Sequence, residues 1–231
     1  MSEKQLYLFY FSPCGTTQLA ATALAAGTGL PYTAIDLCNT HFSPPELEPG
    51  SLSIFAGPIY GGQVPEVALN RMQQVEGEGC YAFALVTYGN RAYDDGLLQL
   101  GDVLTDAGFL VLGGAAIVAQ HSCRSTIAAG RPNSWDLDFI RTFAKKVLAR
   151  WEAEPQTPVT LPGNRPYKLM GSGPQAPVTS DACTFCGLCP TVCPTGAISA
   201  ENPKLADPSL CIGCRRCVQV CPVHAKEFKG F

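Results

Sequence analysis

Eight cysteines lie within 39 residues near the end of this 231-residue chain, and their spacing is the first sign of chemistry. They form two copies of one pattern, Cys183-x-x-Cys186-x-x-Cys189-x-x-x-Cys193-Pro194 and Cys211-x-x-Cys214-x-x-Cys217-x-x-x-Cys221-Pro222, offset by 28 residues throughout. Thiolates two residues apart sit on one tight loop, where three of them reach three corners of an iron–sulfide cube and a fourth comes from farther along the chain. Zinc also takes four thiolates, but its motifs usually bring together two distant Cys-x-x-Cys pairs, not four cysteines in eleven residues. A disulfide framework would need an oxidising compartment.

In all eight spacings and both Cys-Pro dipeptides the segment resembles the bacterial two-[4Fe–4S] ferredoxin family, over about fifty residues. In that family the fourth cysteine of each run serves the other cluster. The resemblance therefore implies one cluster on Cys183, Cys186, Cys189 and Cys221, and a second on Cys211, Cys214, Cys217 and Cys193. One departure is charge. Many such ferredoxins are acidic, whereas residues 179–231 carry 5 basic and 4 acidic groups, with Arg215 and Arg216 inside the second motif. These arginines read as solvated surface groups. The alternative is that they sit close to the second cluster and favour its reduced state.

A second candidate site begins at Ser12-Pro13-Cys14-Gly15-Thr16-Thr17, between a short apolar run and an alanine-rich helical stretch. Hydroxyls and glycine at a helix N-terminus bind anions through free N–H groups and the helix dipole. There is no lysine for a nucleotide-hydrolysing P-loop, and no Gly-x-Gly-x-x-Gly after the first strand. The plain alternative is an N-capped turn. The loop resembles the flavodoxin phosphate loop, with Ser12, Gly15 and Thr17 matching, Cys14 where threonine is usual, and Thr16 as partial compensation.

Two more loops carry glycine for close backbone approach and tyrosine for stacking on a flat ring. They are Pro58-Ile59-Tyr60-Gly61-Gly62 and Thr87-Tyr88-Gly89-Asn90 with Tyr93 and Asp95 beyond. Both resemble the isoalloxazine loops of flavodoxin-like proteins, which implies FMN as the ligand. His121 and Cys123 belong to a further loop to which no role is assigned.

The elements that must position these loops alternate. Strands are expected at 5–11, 32–37, 51–56, 79–87 and 109–119, and helices at 16–26, 64–74, 94–107 and 134–150. That alternation implies parallel β-α-β units. Ligands bind such sheets outside the carboxyl ends of the strands, where strand order reverses. Residues 151–178 contain six prolines and three glycines and read as a linker, or as an ordered extension along the first domain.

Composition limits the rest. At 46% hydrophobic the chain can bury a core, which excludes global disorder. A net charge of −3 argues against nucleic acid as a partner. The longest apolar run, 108–119, is too short to span a membrane, and the first residues lack a secretory leader, so a cytoplasmic chain is expected.

The whole chain resembles a fusion: a flavodoxin-like α/β domain (1–150) with a doubly wound five-stranded parallel sheet, a linker (151–178), and a small α+β two-[4Fe–4S] ferredoxin domain (179–231). The resemblance implies an electron-transfer protein that relays electrons between FMN and two [4Fe–4S] clusters, with redox proteins as donor and acceptor. The alternative is an FMN-dependent reductase of a small molecule, fed by its own clusters.

Overall fold

Alternation within the first strand already divides the core. In β1 (Leu6–Tyr10), Leu6 and Leu8 point to one face of the sheet, and Tyr7 and Phe9 to the other. The computed structural model describes residues 5–153, 156–168 and 176–229. After β1 come α1 (Thr16–Gly27), β2 (Tyr32–Asp36), β3 (Leu52–Pro58), α2 (Glu66–Gln73), β4 (Tyr81–Tyr88), α3 (Gly96–Asp106), β5 (Leu110–Val118) and α4 (Ser134–Glu152). Each strand expected from sequence forms within a residue or two of its expected ends. The five pair in parallel in the order β2-β1-β3-β4-β5, the flavodoxin-like doubly wound order.

Helices α1 and α4 cover the face that carries Leu6, Leu8, Leu52 and Ile54. Helices α2 and α3 cover the face that carries Phe9 and Phe55, whose rings stack at 4.6 Å. Strand β3 is buried along its whole length. Truncating Phe55 to alanine would cost about 3–5 kcal/mol, the usual penalty for emptying an aromatic core site. The start of α4 is fixed by a capping box in which Asn133 and Asp136 satisfy each other's backbone N–H groups.

Of the stretch expected as a linker, residues 154–155 and 169–175 lie outside the described residues. Its first residues continue α4 to Glu152, its last opens β6 at Val178, and 156–168 form a strap along the sheet and α3. The Val159 N–H donates to the Val111 carbonyl at 3.2 Å, which pairs part of the β5 edge. Leu161 is buried, and a Cβ at either Gly101 or Gly114 would collide with it at 2.6 or 2.9 Å. The Asp95 carboxylate accepts from the Asn164 and Lys168 N–H groups, both at 2.8 Å. Arg165 and Tyr167 both bond Asp102.

The cysteine-rich unit is smaller. Strand β6 (Val178–Thr179) pairs antiparallel with β7 (Lys226–Glu227), around helices α5 (Leu188–Val192) and α6 (Arg216–Gln219). The 28-residue repeat survives in the backbone. Left-handed φ values recur at Phe185 and Gly213, at Gly187 and Arg215, and at Gly196 and His224.

Candidate functional site

A cavity of about 350 Å³ opens at the carboxyl ends of β1, β3, β4 and β5, beside the β1/β3 reversal of strand order. That volume is in the range of small-molecule sites. Each of the three expected loops contributes to it, but not with every residue.

From the first loop, Cys14, Thr16 and Thr17 line the cavity. Ser12 and Gly15 lie behind them and shape the turn. Gly15 takes φ 86 at the N-cap of α1, a left-handed conformation that glycine adopts without cost. The Ser12 hydroxyl accepts from the Gln18 N–H at 2.9 Å, and the Gly15 N–H donates to the Ser12 carbonyl at 3.3 Å. Thr16 and Thr17 open α1, so their N–H groups have no acceptor within the helix. The Thr17 hydroxyl shares a hydrogen bond with the Thr87 hydroxyl, 2.6 Å away on β4. The Cys14 thiol stays protonated at neutral pH: burial first, then Cys123, push it up to about 11.

From the second loop, Pro58, Ile59, Tyr60 and Gly61 line the cavity and Gly62 does not. The Tyr60 phenol is pushed well above its ordinary value by burial, and by the neighbouring Cys14 and Cys214. From the third loop, Thr87, Tyr88 and Gly89 line it, whereas Asn90, Tyr93 and Asp95 do not. Tyr93 instead packs edge-on against Tyr88 at 5.6 Å. The Asp95 carboxylate is occupied by the strap, as described above.

Two groups of lining residues come from outside the three loops. Gln120, His121, Ser122 and Cys123 follow β5, which lies beside β4 and ends on the same edge. That adjacency was the available signal. His121 Nδ1 accepts from the Cys123 and Arg124 N–H groups at 3.0 and 3.3 Å, so the ring proton sits on Nε2. Burial, then Arg124 and Arg215, hold His121 below its ordinary value, and it is neutral at pH 7. A Cβ at Gly89 would meet the His121 ring at 2.6 Å, so glycine there is what allows the two loops to close together.

The other group, Ile212, Gly213, Arg215 and Phe228, belongs to the cysteine-rich unit. The two arginines of the second motif are therefore not solvated surface groups. Arg215 is half-buried in the cavity wall, its guanidinium 4.8 Å from the centre of the Phe228 ring. Arg216 Nη1 donates to the Ser12 carbonyl at 3.5 Å. Two more contacts join the units. The Cys14 thiol donates to the Cys214 carbonyl at 3.0 Å, and Arg71 donates to both the Leu37 and Pro194 carbonyls, at 2.6 and 2.8 Å.

The cysteines divide into two neighbourhoods. Cys183, Cys186, Cys189 and Cys221 line one small cavity together with Lys226. Cys193 stands within electrostatic reach of Cys211, Cys214 and Cys217. None of the eight is in a disulfide. Among the described residues, no three Cys, His, Asp or Glu side chains close on a single point as ligands of one ion would. Between the neighbourhoods lies Lys226, buried, with Nζ donating to the Pro203 carbonyl at 2.7 Å and the Thr179 hydroxyl at 2.9 Å. Soft thiolates in this number fit iron–sulfur chemistry, and the lysine offsets part of their negative charge.

Comparison with known proteins agrees for this unit. The 4Fe-4S binding domain family matches residues 176–199 and 206–227. A ferredoxin-like protein from the nif region of Rhizobium leguminosarum bv. trifolii is 36% identical over 53 residues, covering 20% of this chain and 83% of that protein. The sheet is similar to flavodoxin 1 of Bacillus cereus, at 16% identity and a TM-score of 0.44, over 63% of this chain and 98% of that one. It is also similar to a Fusobacterium nucleatum flavodoxin bound to flavin mononucleotide, at 12% identity and a TM-score of 0.44, over 64% of this chain and 98% of that one. Among the described residues no helix is long and apolar enough to cross a membrane. By its second unit the chain belongs to the 4Fe–4S ferredoxin-domain family, and that unit follows an α/β domain whose parallel sheet has the flavodoxin-like doubly wound order.

Proposed function

We propose that the chain relays electrons between an FMN in the 350 Å³ cavity and two [4Fe–4S] clusters, joining two-electron to one-electron redox partners. The flavin unit is residues 1–150, the cluster unit is 179–231, and the stretch between them includes the strap. One observation carries the reading. Ile212, Gly213 and Arg215, which flank the cluster ligand Cys214, form a wall of the same cavity as Tyr60 and Tyr88. When bound, FMN supplies exchange of one or two electrons and each cluster exchange of one.

The chain's own residues provide binding and exclusion of water. The Thr16 and Thr17 N–H groups at the start of α1 would hold the phosphate. The Tyr60 and Tyr88 rings offer stacking surfaces. Tyr60 and Cys14 stay protonated at neutral pH, so they add no negative charge beside the ligand. His121 Nε2–H is a fixed donor, because Nδ1 is already committed to its own loop. The clusters take Cys183, Cys186, Cys189 and Cys221, and Cys211, Cys214, Cys217 and Cys193. The partners are redox proteins.

Anaerobically purified full-length protein tests the reading directly. About eight irons and eight sulfides per chain are expected, with one FMN after incubation with excess flavin. Stepwise reduction should bleach flavin and cluster absorbance in the same molecule. Stoichiometric zinc without iron would remove the cluster half of the proposal. Iron without any bound FMN would remove the flavin half.

A further inference from the structure

Of all the residues lining the cavity, Arg215 carries the one formal charge among the described residues; there is no Asp, Glu or Lys in the wall, and His121 is neutral. That single cation comes from the cysteine-rich unit. It is adjacent in sequence to Cys214, and its guanidinium is held over the Phe228 ring, which also lines the cavity. Its charge reaches across the boundary into the sheet unit, where it acts on Cys14 and on His121.

The repeat gives an independent reason to single it out. The equivalent position in the first motif is Gly187, at φ 76, and Arg215 adopts nearly the same left-handed backbone, at φ 63. Glycine is the residue that conformation favours. The second motif instead places there a long cationic side chain, which enters the cavity.

We propose that Arg215 is a cation shared by two redox centres, the flavin cavity and the cluster held through Cys214, and that it favours the added negative charge of either one when it is reduced. This rests on the flavin and cluster reading above. Each added electron comes from an external reductant, dithionite in the test below, and the guanidinium neither gains nor loses a proton. Its role is electrostatic. Two centres that share one partially buried cation are coupled through it; Arg216 also acts on Cys14, but it does not line the cavity.

The test uses full-length, cluster-loaded Arg215→Gly, which matches the residue and backbone of the first motif, and Arg215→Lys, which keeps the charge. Iron content and circular dichroism establish that each variant is assembled. Dithionite titration then gives the midpoint potentials of flavin and clusters, and FMN titration gives affinities for oxidised and reduced flavin. In Arg215→Gly both the flavin and the Cys214-linked cluster should become harder to reduce. Reduced FMN should lose about tenfold in affinity relative to oxidised FMN, equivalent to 1.4 kcal/mol. Arg215→Lys should restore most of both effects. A wild-type protein that takes up no FMN would overturn the flavin reading itself. A wild type that binds FMN, beside an Arg215→Gly variant in which either centre keeps its potential, would overturn the sharing role alone. Should the glycine variant fail to assemble, Arg215→Lys against Arg215→Gln makes the same comparison with side-chain length largely kept.

Discussion

The thiol of Cys14 donates to the backbone carbonyl of Cys214 across 3.0 Å, although the two residues are 200 positions apart in the chain. The first belongs to the loop proposed for the flavin phosphate and the second to the loop proposed for a cluster. The units therefore meet through their candidate cofactor loops. Arg216 and Arg71 reinforce the same junction from either side. Among the described residues, the cavity lined by Cys183, Cys186, Cys189 and Cys221 receives none from the sheet unit. Within the proposed relay, the cluster linked to Cys214 is the one beside the flavin and the other is farther out.

Arg71 should be the main clasp of this junction. Its guanidinium bridges the Leu37 carbonyl at the end of β2 and the Pro194 carbonyl next to Cys193. Hydrogen bonds from a charged donor each contribute about 1.5–3 kcal/mol, and Arg71 is half-exposed, so Arg71→Ala should weaken docking by about 2 kcal/mol. Amide exchange around 190–194 should accelerate while the sheet core stays protected. Unaltered exchange there would mean that other contacts carry the junction.

Tyr60 and Tyr88 should each contribute to flavin binding, because both line the cavity. Replacing either with alanine should weaken FMN by about 0.5–1.5 kcal/mol through lost stacking. Tyr93→Ala should have a smaller effect, acting only through the edge contact that supports Tyr88. Titration of flavin-free protein measures all three. Equal losses for Tyr88 and Tyr93 would show that the pair is core packing.

Local order was legible in the sequence where period and composition decide it. The strand run 5–11, the alanine-rich stretch after Thr17 and the cysteine repeat each depend on neighbours a few residues away. Arg215 was misread because its spacing says only that it sits within a cluster motif. Its burial depends on a contact with a unit two hundred residues earlier. Asp95, Asn90, Tyr93 and Gly62 were expected at the site and do not line the cavity. They share loops with lining residues, yet a loop turns, and only part of it borders the cavity. For Asp95 the competing partner was the proline-rich strap. Leu161 and Asn164 anchor that strap, but a few buried residues do not stand out in a segment whose composition reads as a spacer.

The strap should respond to acid. Hydrogen bonds from the Lys168 and Asn164 N–H groups hold the Asp95 carboxyl below its ordinary range, near 3.9. A carboxylate with a depressed folded value contributes stability above its unfolded pKa and loses it as pH falls through the folded one. Protection of the Asn164 and Lys168 amides should therefore hold at neutral pH and fall once pH drops below about 4. Asp95→Ala should remove that protection already at pH 7, with FMN affinity at the wild-type level because Asp95 does not line the cavity. Weaker FMN binding in this variant would place Asp95 back in the flavin site.

Exchange of the fourth ligands is the most specific expectation for the clusters. Cys189 opens onto α5 and Cys217 onto α6, and each short helix carries the next cysteine away from the loop before it. Cys221 ends up beside Cys183, Cys186 and Cys189, and Cys193 beside Cys211, Cys214 and Cys217. Each cluster then ties the two halves of the unit together, so cluster assembly and folding become one event. Cys193→Ala should damage the cluster of residues 211–217 and leave four ligands on the cluster of residues 183–189. Cys221→Ala should do the reverse. Losing a cluster from so small a unit also destabilises its neighbour, so total iron does not discriminate and the signals must be resolved. Electron paramagnetic resonance of the reduced variants, compared with Cys186→Ala, resolves them: Cys186→Ala and Cys221→Ala should lose the same signal, and Cys193→Ala the other. If Cys193→Ala and Cys186→Ala lost the same signal, ligation would be local to each motif, and the flavin-side cluster would take Cys221 in place of Cys193.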